Sequence, residues 1–323
     1  MRRETAVTTR RRSRLGVGAL MLAVPCGAAA LAAGQALAAP NQGSLHITSR
    51  AIRIPYGDQV ILRGTALASD AGHTIVLQFA RRGESAWRQL SSSTIDRVGR
   101  FRLAAALAQS GSLRALDASS GSLTPFVPRG STGGAGQASG PMPVDVAARV
   151  HVPDRQISLL GGQAAEVRGR LLPGRAGRRV SLQGREAGGW QTLDTARTGS
   201  AGQFLLRYVA SNPGQEPIRV RFAGDRLNGR VDARAGRLTV YRGAGASWYN
   251  DGGTTACGFH AYYGVANRTL PCGTTVSFRY NGRSVTATVD DRGPFVAGRD
   301  WDLNQNTAGA LGFGGVDTVW SSQ

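Results

Sequence analysis

The residues best suited to chemistry are two adjacent carboxylates near the carboxy end of the chain. Asp290 and Asp291 end an alternating run that begins at Ser284, and Gly293-Pro294 follows soon after. A Gly-Pro pair interrupts strand hydrogen bonding, so the two carboxylates are predicted to lie at a strand end. Functional side chains concentrate at such ends and their loops, where a carboxyl group can give or take a proton.

A β-hairpin is predicted to position these carboxylates. Residues 275–280 and 284–290 both alternate apolar with polar side chains, and Asn281-Gly282 stands between them. Asn-Gly between alternating runs is the strongest short hairpin signal, because both residues accept a positive φ. Successive side chains of a strand point to opposite faces, so Asp290 and Asp291 need not form an acid pair.

Several motifs around this hairpin resemble one known family. In chain order they are SWY from Ser247, TACG from Thr255, RTLPCGT from Arg268, NGRSVTATVDDRGPFVAGR from Asn281 and DLNQNTAGALGF from Asp302. Their order and spacing resemble the double-psi β-barrel of the rare lipoprotein A (RlpA) family over about residues 245–319, and expansins more distantly. The resemblance implies a secreted cell-wall protein, and some members cleave the glycan strands of peptidoglycan as lytic transglycosylases.

The resemblance also implies which residues meet the glycan. The Asp of the family's DRGP motif is implicated in glycan cleavage, and here it is Asp291. Breaking a glycosidic bond needs a carboxylic acid that protonates the leaving oxygen. The alternative is structural, with Asp291 paired to Arg292 or Arg299 as a cap of the loop. Tyr249, Arg292 and Phe295 are the substrate-binding candidates, and barrel packing explains the two aromatic rings equally well.

The chain departs from the family pattern at its second carboxylate. Active members carry Glu directly after the TACG-like motif, where this chain has Phe259, and Asn267 replaces the usual His before RTLP. A lytic transglycosylase can work with one acid, because the 6-hydroxyl of the sugar attacks and no water is activated. Asp302 and Asp251 are candidate second acids. Either can instead be structural, Asp251 in a turn and Asp302 before a short helix predicted over Asn304 to Gly312.

Two cysteines are predicted to form a disulfide. Cys257 and Cys272 lie 15 positions apart and are the only cysteines after residue 39. In an exported chain a disulfide is expected, and a loop of this size gains about 3 kcal/mol in the chain-entropy model. A reactive thiol pair is the alternative. His260 is predicted to be a groove or surface residue, and neither a metal site nor a cofactor is predicted.

The amino terminus has the pattern of an export signal. Residues 1–14 contain six arginines, residues 15–33 are mostly apolar, and Ala36-Leu37-Ala38 offers a cleavage site. Arg11-Arg12 leaves open a route that exports folded chains. No later segment is apolar for long enough to span a bilayer. The expected location is therefore outside the membrane, secreted and associated with the cell wall.

The charge of the chain is strongly positive and is carried by arginine alone. The net charge is +19, and removal of residues 1–39 would leave +14. No basic stripe with interleaved aromatic residues appears, so nucleic acid is not a predicted partner. Attraction to anionic wall polymers is the more natural use of the charge. The predicted partner is peptidoglycan or another wall polysaccharide.

The middle of the chain contains a duplication. Three features recur at offsets of 105, 103 and 103 residues: the R-G pair at Arg63 and Arg168, the tryptophans Trp87 and Trp190, and the G-x-F motifs ending at Phe101 and Phe204. Such a long period indicates a duplicated domain and not a short solenoid repeat. Short alternating runs between turn residues predict an immunoglobulin-like β-sandwich for each copy.

The predicted fold is all-β, with two immunoglobulin-like sandwiches followed by a six-stranded double-psi β-barrel. The segments are a signal peptide (1–39), sandwich 1 (40–127), a Gly-, Ser- and Pro-rich linker (128–143), sandwich 2 (144–242) and the barrel (243–323). Two functions follow. The barrel either cleaves peptidoglycan glycan strands or, as an expansin-like or scaffold module, grips wall polysaccharide without cutting it.

Overall fold

The computed structural model describes residues 45–48, 52–119, 138–250 and 252–323. Residues 43–323 form one compact unit. Strands dominate the described ranges, within which no helix has the length and apolar character needed to cross a membrane. The predicted signal peptide and Asp251 lie outside the described residues.

Two sheets form the first domain. Its strands are β1 (His46–Ile47), β2 (Ile52–Pro55), β3 (Gln59–Thr65), β4 (Thr74–Arg81), β5 (Arg88–Thr94), β6 (Arg100–Ala106), β7 (Gly111–Asp117) and β8 (Met142–Ala147). They pair in the orders β1-β3-β6 and β2-β8-β7-β4-β5. Alternate residues point inward, so Leu62, Phe79 and Leu113 are among the side chains that form one buried core.

The boundary between the two copies differs from the predicted one. Strand β8 runs parallel to β2, with Val144 opposite Ile52, and antiparallel to β7. Residues 142–147, predicted to end the linker and begin sandwich 2, therefore pair within the first domain. Residues 128–137 of the predicted linker lie between β7 and β8 in the chain and outside the described residues. Composition marks a segment as a loop, but only long-range pairing shows which strands it joins.

The second domain repeats this arrangement. Its strands are β9 (Arg149–His151), β10 (Arg155–Leu160), β11 (Ala164–Leu172), β12 (Arg179–Glu186), β13 (Gly189–Arg197), β14 (Gln203–Val209), β15 (Gly214–Phe222) and β16 (Val231–Tyr249). The smaller sheet has the order β14-β11-β9. The larger runs β13-β12-β15-β16, and β10 pairs with β16 in parallel. Leu171, Leu182 and Leu206 lie in the core between them.

The duplication extends to individual side-chain contacts. In each domain an arginine donates to a glutamine and lies over a tryptophan ring. In the first, Arg114 donates to Gln78 at 2.8 Å and lies 4.2 Å from the centre of the Trp87 ring. In the second, Arg219 donates to Gln183 at 3.0 Å and lies 4.0 Å from the centre of the Trp190 ring. Both glutamines also follow a break in strand register. Assignment of either domain to the immunoglobulin type stays a prediction.

Strand β16 continues from the second domain into the barrel. The remaining elements are β17 (Gly264–Ala266), β18 (Thr275–Tyr280), β19 (Arg283–Asp291), β20 (Trp301–Asn304), α1 (Gln305–Leu311) and β21 (Asp317–Ser321). Pairing follows the order β16-β20-β17-β19-β18-β21, and β21 pairs back to β16, so the sheet closes on itself. Phe278, Trp301 and Leu303 are buried inside. The double-psi crossover stays a prediction.

Two local predictions in the barrel are confirmed. Strands β18 and β19 form a hairpin around Asn281 and Gly282, whose φ values are 47° and 80°. The side chain of Asn304 accepts a hydrogen bond from the amide of Thr307 at the start of α1. Gly312 ends the helix in the left-handed conformation. The hairpin carries the carboxylates to the barrel edge, and the helix follows the strand that bears Asp302.

Candidate active site

Asp291 is the last residue of β19 and lies beside β17, where Ala266 is its pairing partner. Its Oδ1 accepts hydrogen bonds from the backbone amides of Ala256 and Arg292, both at 2.8 Å. Two donors on one oxygen fix the orientation of the carboxyl group. The residue is partly exposed, so its side chain lies at the surface of the barrel.

A disulfide fixes the position of the Ala256 amide, one of the two donors to Asp291. Cys257 and Cys272 are bonded, with their Cα atoms 5.8 Å apart, which confirms the predicted pair. The amide of Cys257 also donates to the carbonyl of Asp290 at 3.3 Å. The turn that contains Ala256 is thereby attached to strand β19 and to the loop after β17. The Ala256 amide is held where it meets the Asp291 carboxylate.

Asp302 is the second carboxylate at this edge. It lies on β20 and pairs with Ala266, the residue that also pairs with Asp291 from the other side. The Ser247 hydroxyl donates to its Oδ1 at 2.8 Å. Burial is the main cause that raises the pKa of Asp302. The Ser247 hydrogen bond and the charge of Arg299 oppose this rise, and the charge of Asp291 adds to it.

Asp290 points away from this site. Its side chain is fully buried, and Oδ2 accepts a hydrogen bond from the Ala261 amide at 2.8 Å. A Cβ atom at Gly264 would lie 2.2 Å from the same oxygen, so glycine is needed for this close contact. The opposite orientations of Asp290 and Asp291 agree with the strand alternation expected from sequence. Asp290 anchors the segment before β17.

Arg268 organises the loop over residues 292–299 and was not singled out from sequence. Its Nη1 donates to the carbonyls of Pro294 at 2.8 Å and Arg299 at 2.7 Å, and its Nη2 lies 3.7 Å from Asp300. One guanidinium thus joins both ends of the loop that follows Asp291. The RTLP motif contains this arginine, but its partners are too distant in sequence to be recognised there.

Arg292, the residue after Asp291, is hydrogen-bonded to Asn267. The guanidinium of Arg292 donates to the Asn267 carbonyl at 3.1 Å and to the sulfur of Cys272 at 3.0 Å. The Asn267 side chain accepts from the amide of Leu270 at 2.8 Å. It also donates to the carbonyl of Asp300 at 3.2 Å. Asn267 therefore stabilises its own turn and holds Asp300, the residue just before β20.

Exposed aromatic rings are concentrated in the barrel. Within the described ranges, the exposed aromatic side chains are Trp248, Phe259, Tyr262, Tyr263 and Phe295. Phe295 follows the DRGP motif and is 83% exposed, whereas the hydroxyl of Tyr249 is buried. The described residues contain no group of three or more His, Cys, Asp or Glu arranged to hold a metal ion, and His260 is exposed.

Comparison with known proteins identifies the barrel segment. Residues 242–319 match the family described as lytic transglycolase. The barrel is RlpA-like. Three similar proteins, each named probable endolytic peptidoglycan transglycosylase RlpA, come from Aquifex aeolicus, Synechocystis sp. and Nostoc sp.. Their identities are 45%, 38% and 40% over 76, 109 and 98 residues.

These RlpA similarities cover only part of each protein. The aligned regions are 21%, 31% and 29% of this chain, and 33%, 34% and 23% of the three relatives. The chain thus spans about a third or less of the curated relatives it matches. Two solved structures align with a TM-score of 0.24. One concerns T-cell activation by toxic shock syndrome toxin-1 (13% identity; 29% of this chain, 99% of that one). The other is the ectodomain of a teleost fish polymeric Ig receptor (10%; 61% and 98%).

Proposed function

We propose that the barrel cleaves peptidoglycan glycan strands as a lytic transglycosylase, with Asp291 and Asp302 as its acid–base pair. The observation that carries this proposal is the pairing of both residues with Ala266, which brings two carboxylates to one edge of the closed sheet. The similarity of the barrel to proteins named as peptidoglycan transglycosylases supports the substrate class.

In this mechanism the two carboxyl groups hold one proton between them. We assign this proton to Asp302 as part of the proposal, since burial, the main cause, and the charge of Asp291 raise its pKa. Asp302 donates that proton to the glycosidic oxygen as the bond from this oxygen to C1 breaks. Asp291 takes the proton of the sugar's 6-hydroxyl as its oxygen bonds to C1. Proton exchange with solvent then restores the pair.

The exposed aromatic rings are proposed to bind the glycan. Phe295 lies within the loop that Arg268 holds and four residues after Asp291, so a sugar stacked on its ring is proposed to lie near Asp291. Tyr249 is proposed to contact substrate through the exposed part of its ring, since its hydroxyl is buried. Arg292 is proposed to act mainly through position, because its guanidinium donates to Asn267 and Cys272.

The location and the remaining domains also belong to this proposal. Export to the cell wall is supported by the basic, apolar and small-residue pattern of residues 1–39. Two immunoglobulin-like modules are supported by paired sheets around one core in each domain. A six-stranded double-psi barrel is supported by the closed strand order. The sandwiches would then space the barrel from other wall contacts.

A binding module without catalysis is the second candidate. Phe259 stands where active RlpA-like proteins carry a glutamate, and its ring is exposed. An aromatic ring at that position adds a stacking surface and removes an acid, which suits an expansin-like or scaffold role. In that case Asp302 and Asp291 would orient the loop and would not transfer protons.

Digestion of purified peptidoglycan in water enriched in oxygen-18 distinguishes these functions. A lytic transglycosylase releases fragments with 1,6-anhydro ends that contain no heavy oxygen, because water does not attack. Released fragments that end in reducing sugars instead of 1,6-anhydro sugars would indicate hydrolysis and contradict the proposed mechanism. Retention of the protein on peptidoglycan with no released fragments would establish the binding module instead.

A further inference from the structure

The outer surface of the larger sheet of the second domain is strongly basic. Seven arginines of strands β12, β13, β15 and β16 lie on this surface, called the basic face: Arg179, Arg185, Arg197, Arg219, Arg221, Arg234 and Arg237. The cross-strand pairs show that they share one side, because Ser181 is paired with both Thr195 and Arg221, while the alternate residues Val180 and Leu182 are buried. Asp232 is the acidic residue among them.

Two pairs of arginines on this face lie directly opposite each other, which destabilises the sheet. Arg179 is the direct pairing partner of Arg197, and Arg219 is that of Arg234. Like charges directly opposite on neighbouring strands destabilise a sheet. Asp232 lies 3.6 Å from Arg219 and Asp154 lies 3.1 Å from Arg234. Within the described ranges, no carboxylate lies within 4.0 Å of Arg179 or Arg197, and Arg197 donates to the carbonyl of Gly177 at 2.7 Å.

The first domain lacks four of these arginines although it has the same architecture. The shared Gln–Arg–Trp contacts align the two sheets position by position. Where the second domain has Arg179, Arg185, Arg197 and Arg221, the first has Thr74, Ala80, Thr94 and Leu116. Thr74 and Thr94 are also direct pairing partners. The fold is therefore built without these arginines once in this chain, and their presence in the second copy calls for another cause.

A groove adjoins the basic face, and its lining combines arginine and hydroxyl side chains with apolar groups. Its volume is about 1230 Å³, and Arg175, Arg179 and Arg221 line it together with the hydroxyl groups of Ser181 and Thr195. Arg178 lies in its buried part, where it pairs with Asp225 at 2.9 Å and is already neutralised. Arg175 and Arg179 are exposed, so their guanidinium groups can turn to a ligand, and the hydroxyl groups can bind oxygen atoms between the charges.

We propose that the basic face binds a linear anionic polymer of sugar or polyol units joined by phosphodiesters. Arginine forms paired hydrogen bonds with phosphate, and the hydroxyl groups and apolar surface of the groove suit the neutral units between phosphates. Nucleic acid fits less well, because binding of single strands uses exposed aromatic rings. Trp190 is the aromatic residue of this face, and the Arg219 guanidinium covers its ring at 4.0 Å. The site is separate from the barrel and does not depend on cleavage there.

The test is binding of the intact chain to poly(glycerol phosphate), measured over a range of salt concentrations. The variant Arg179→Thr/Arg197→Thr restores the threonine pair of the first domain. We expect its affinity to fall at least tenfold and its slope against log salt to shrink by about 1.4, at about 0.7 per lost phosphate contact. Its melting temperature should not fall, because a like-charge pair has been removed.

The control variant is Arg63→Thr/Arg102→Thr, which removes another directly paired arginine couple from the first domain. It should change the affinity less than twofold. Equal losses in both variants would show attraction by overall charge and overturn the proposal. Tighter binding of oligodeoxythymidylate or polygalacturonate, at equal charge, would also overturn it. Asp291→Asn should leave polymer binding unchanged, so this proposal and the proposed cleavage fail separately.

Discussion

One strand separates Asp302 from Asp291, and the residue between them is Ala266 of β17, which pairs with both. Neighbouring strands are about 4.8 Å apart, so the two backbones are about 10 Å apart at this point. Burial is the main cause that raises the pKa of Asp302, and the negative charge of Asp291 adds to this rise. The pair is the structural basis of the cleavage proposed above.

Removal of the Asp291 charge should lower the pKa of Asp302. In Asp291→Asn the like charge is gone, while burial and the Ser247 hydrogen bond remain. We expect the Asp302 carboxyl to titrate at a lower pH than in the unmodified protein. Carbon-13 NMR of the labelled carboxyl group measures this directly. An unchanged titration would mean that the two carboxylates are too far apart to share a proton.

Replacement of Asp302 by Asn should reduce cleavage without a loss of stability at neutral pH. A raised folded-state pKa stabilises the protein most below the unfolded value of about 3.9, and this contribution is lost as the pH rises through the folded value. Asn cannot ionise, so the variant avoids that loss. Its advantage in free energy of unfolding should therefore appear as the pH rises and be absent near pH 3. Urea denaturation at several pH values tests this, and an advantage confined to acid would contradict it.

The disulfide should support both stability and the site. Cys257→Ser/Cys272→Ser should lower the free energy of unfolding by about 3 kcal/mol, as expected for a loop of this size. The turn that carries Ala256 should also loosen, because the bond attaches it beside β19. Hydrogen exchange of the Ala256 amide measures the second effect. Unchanged protection of that amide would show that the disulfide does not position the donor to Asp291.

Arg268 should act through the shape of its guanidinium and not through its charge alone. Arg268→Ala and Arg268→Lys both remove the planar guanidinium, whose Nη1 donates to the carbonyls of Pro294 and Arg299 while its Nη2 faces Asp300. We expect faster amide exchange in residues 295–299 of both variants, and cleavage slower by about tenfold to a hundredfold from misplacement of the loop. Normal protection in Arg268→Lys would show that a positive charge is sufficient.

Local features of the barrel were predictable because short segments of sequence determine them. Asn281-Gly282 favours positive φ values, and Asn304 can cap a helix with its own side chain. The disulfide followed from the small number of cysteines in a chain expected to be exported. The hairpin and helix predictions depend on residues that are neighbours in the chain. The disulfide prediction depends on there being only two cysteines after residue 39.

The link between Asp291 and Asp302 was not predictable in the same way. It depends on the position of β17 between two strands, since β17 runs parallel to β19 and antiparallel to β20. Arg268 was missed for the same reason, since its acceptors lie 26 and 31 residues away. The course of β8 also depends on a partner far along the chain, at Ile52. Sequence spacing indicates side-chain chemistry, while these partners are set by tertiary pairing.

Formation of 1,6-anhydro sugar ends by matched variants tests the central claim most directly. Asp317 is the control acid, since it lies on β21 and accepts a hydrogen bond from Tyr280 of the hairpin. We expect the unmodified protein and Asp317→Asn to release these ends at rates within twofold of each other. Asp291→Asn should release them at least about a hundredfold more slowly. Equal rates in Asp291→Asn, or binding of peptidoglycan with no anhydro ends from the unmodified protein, would contradict the account.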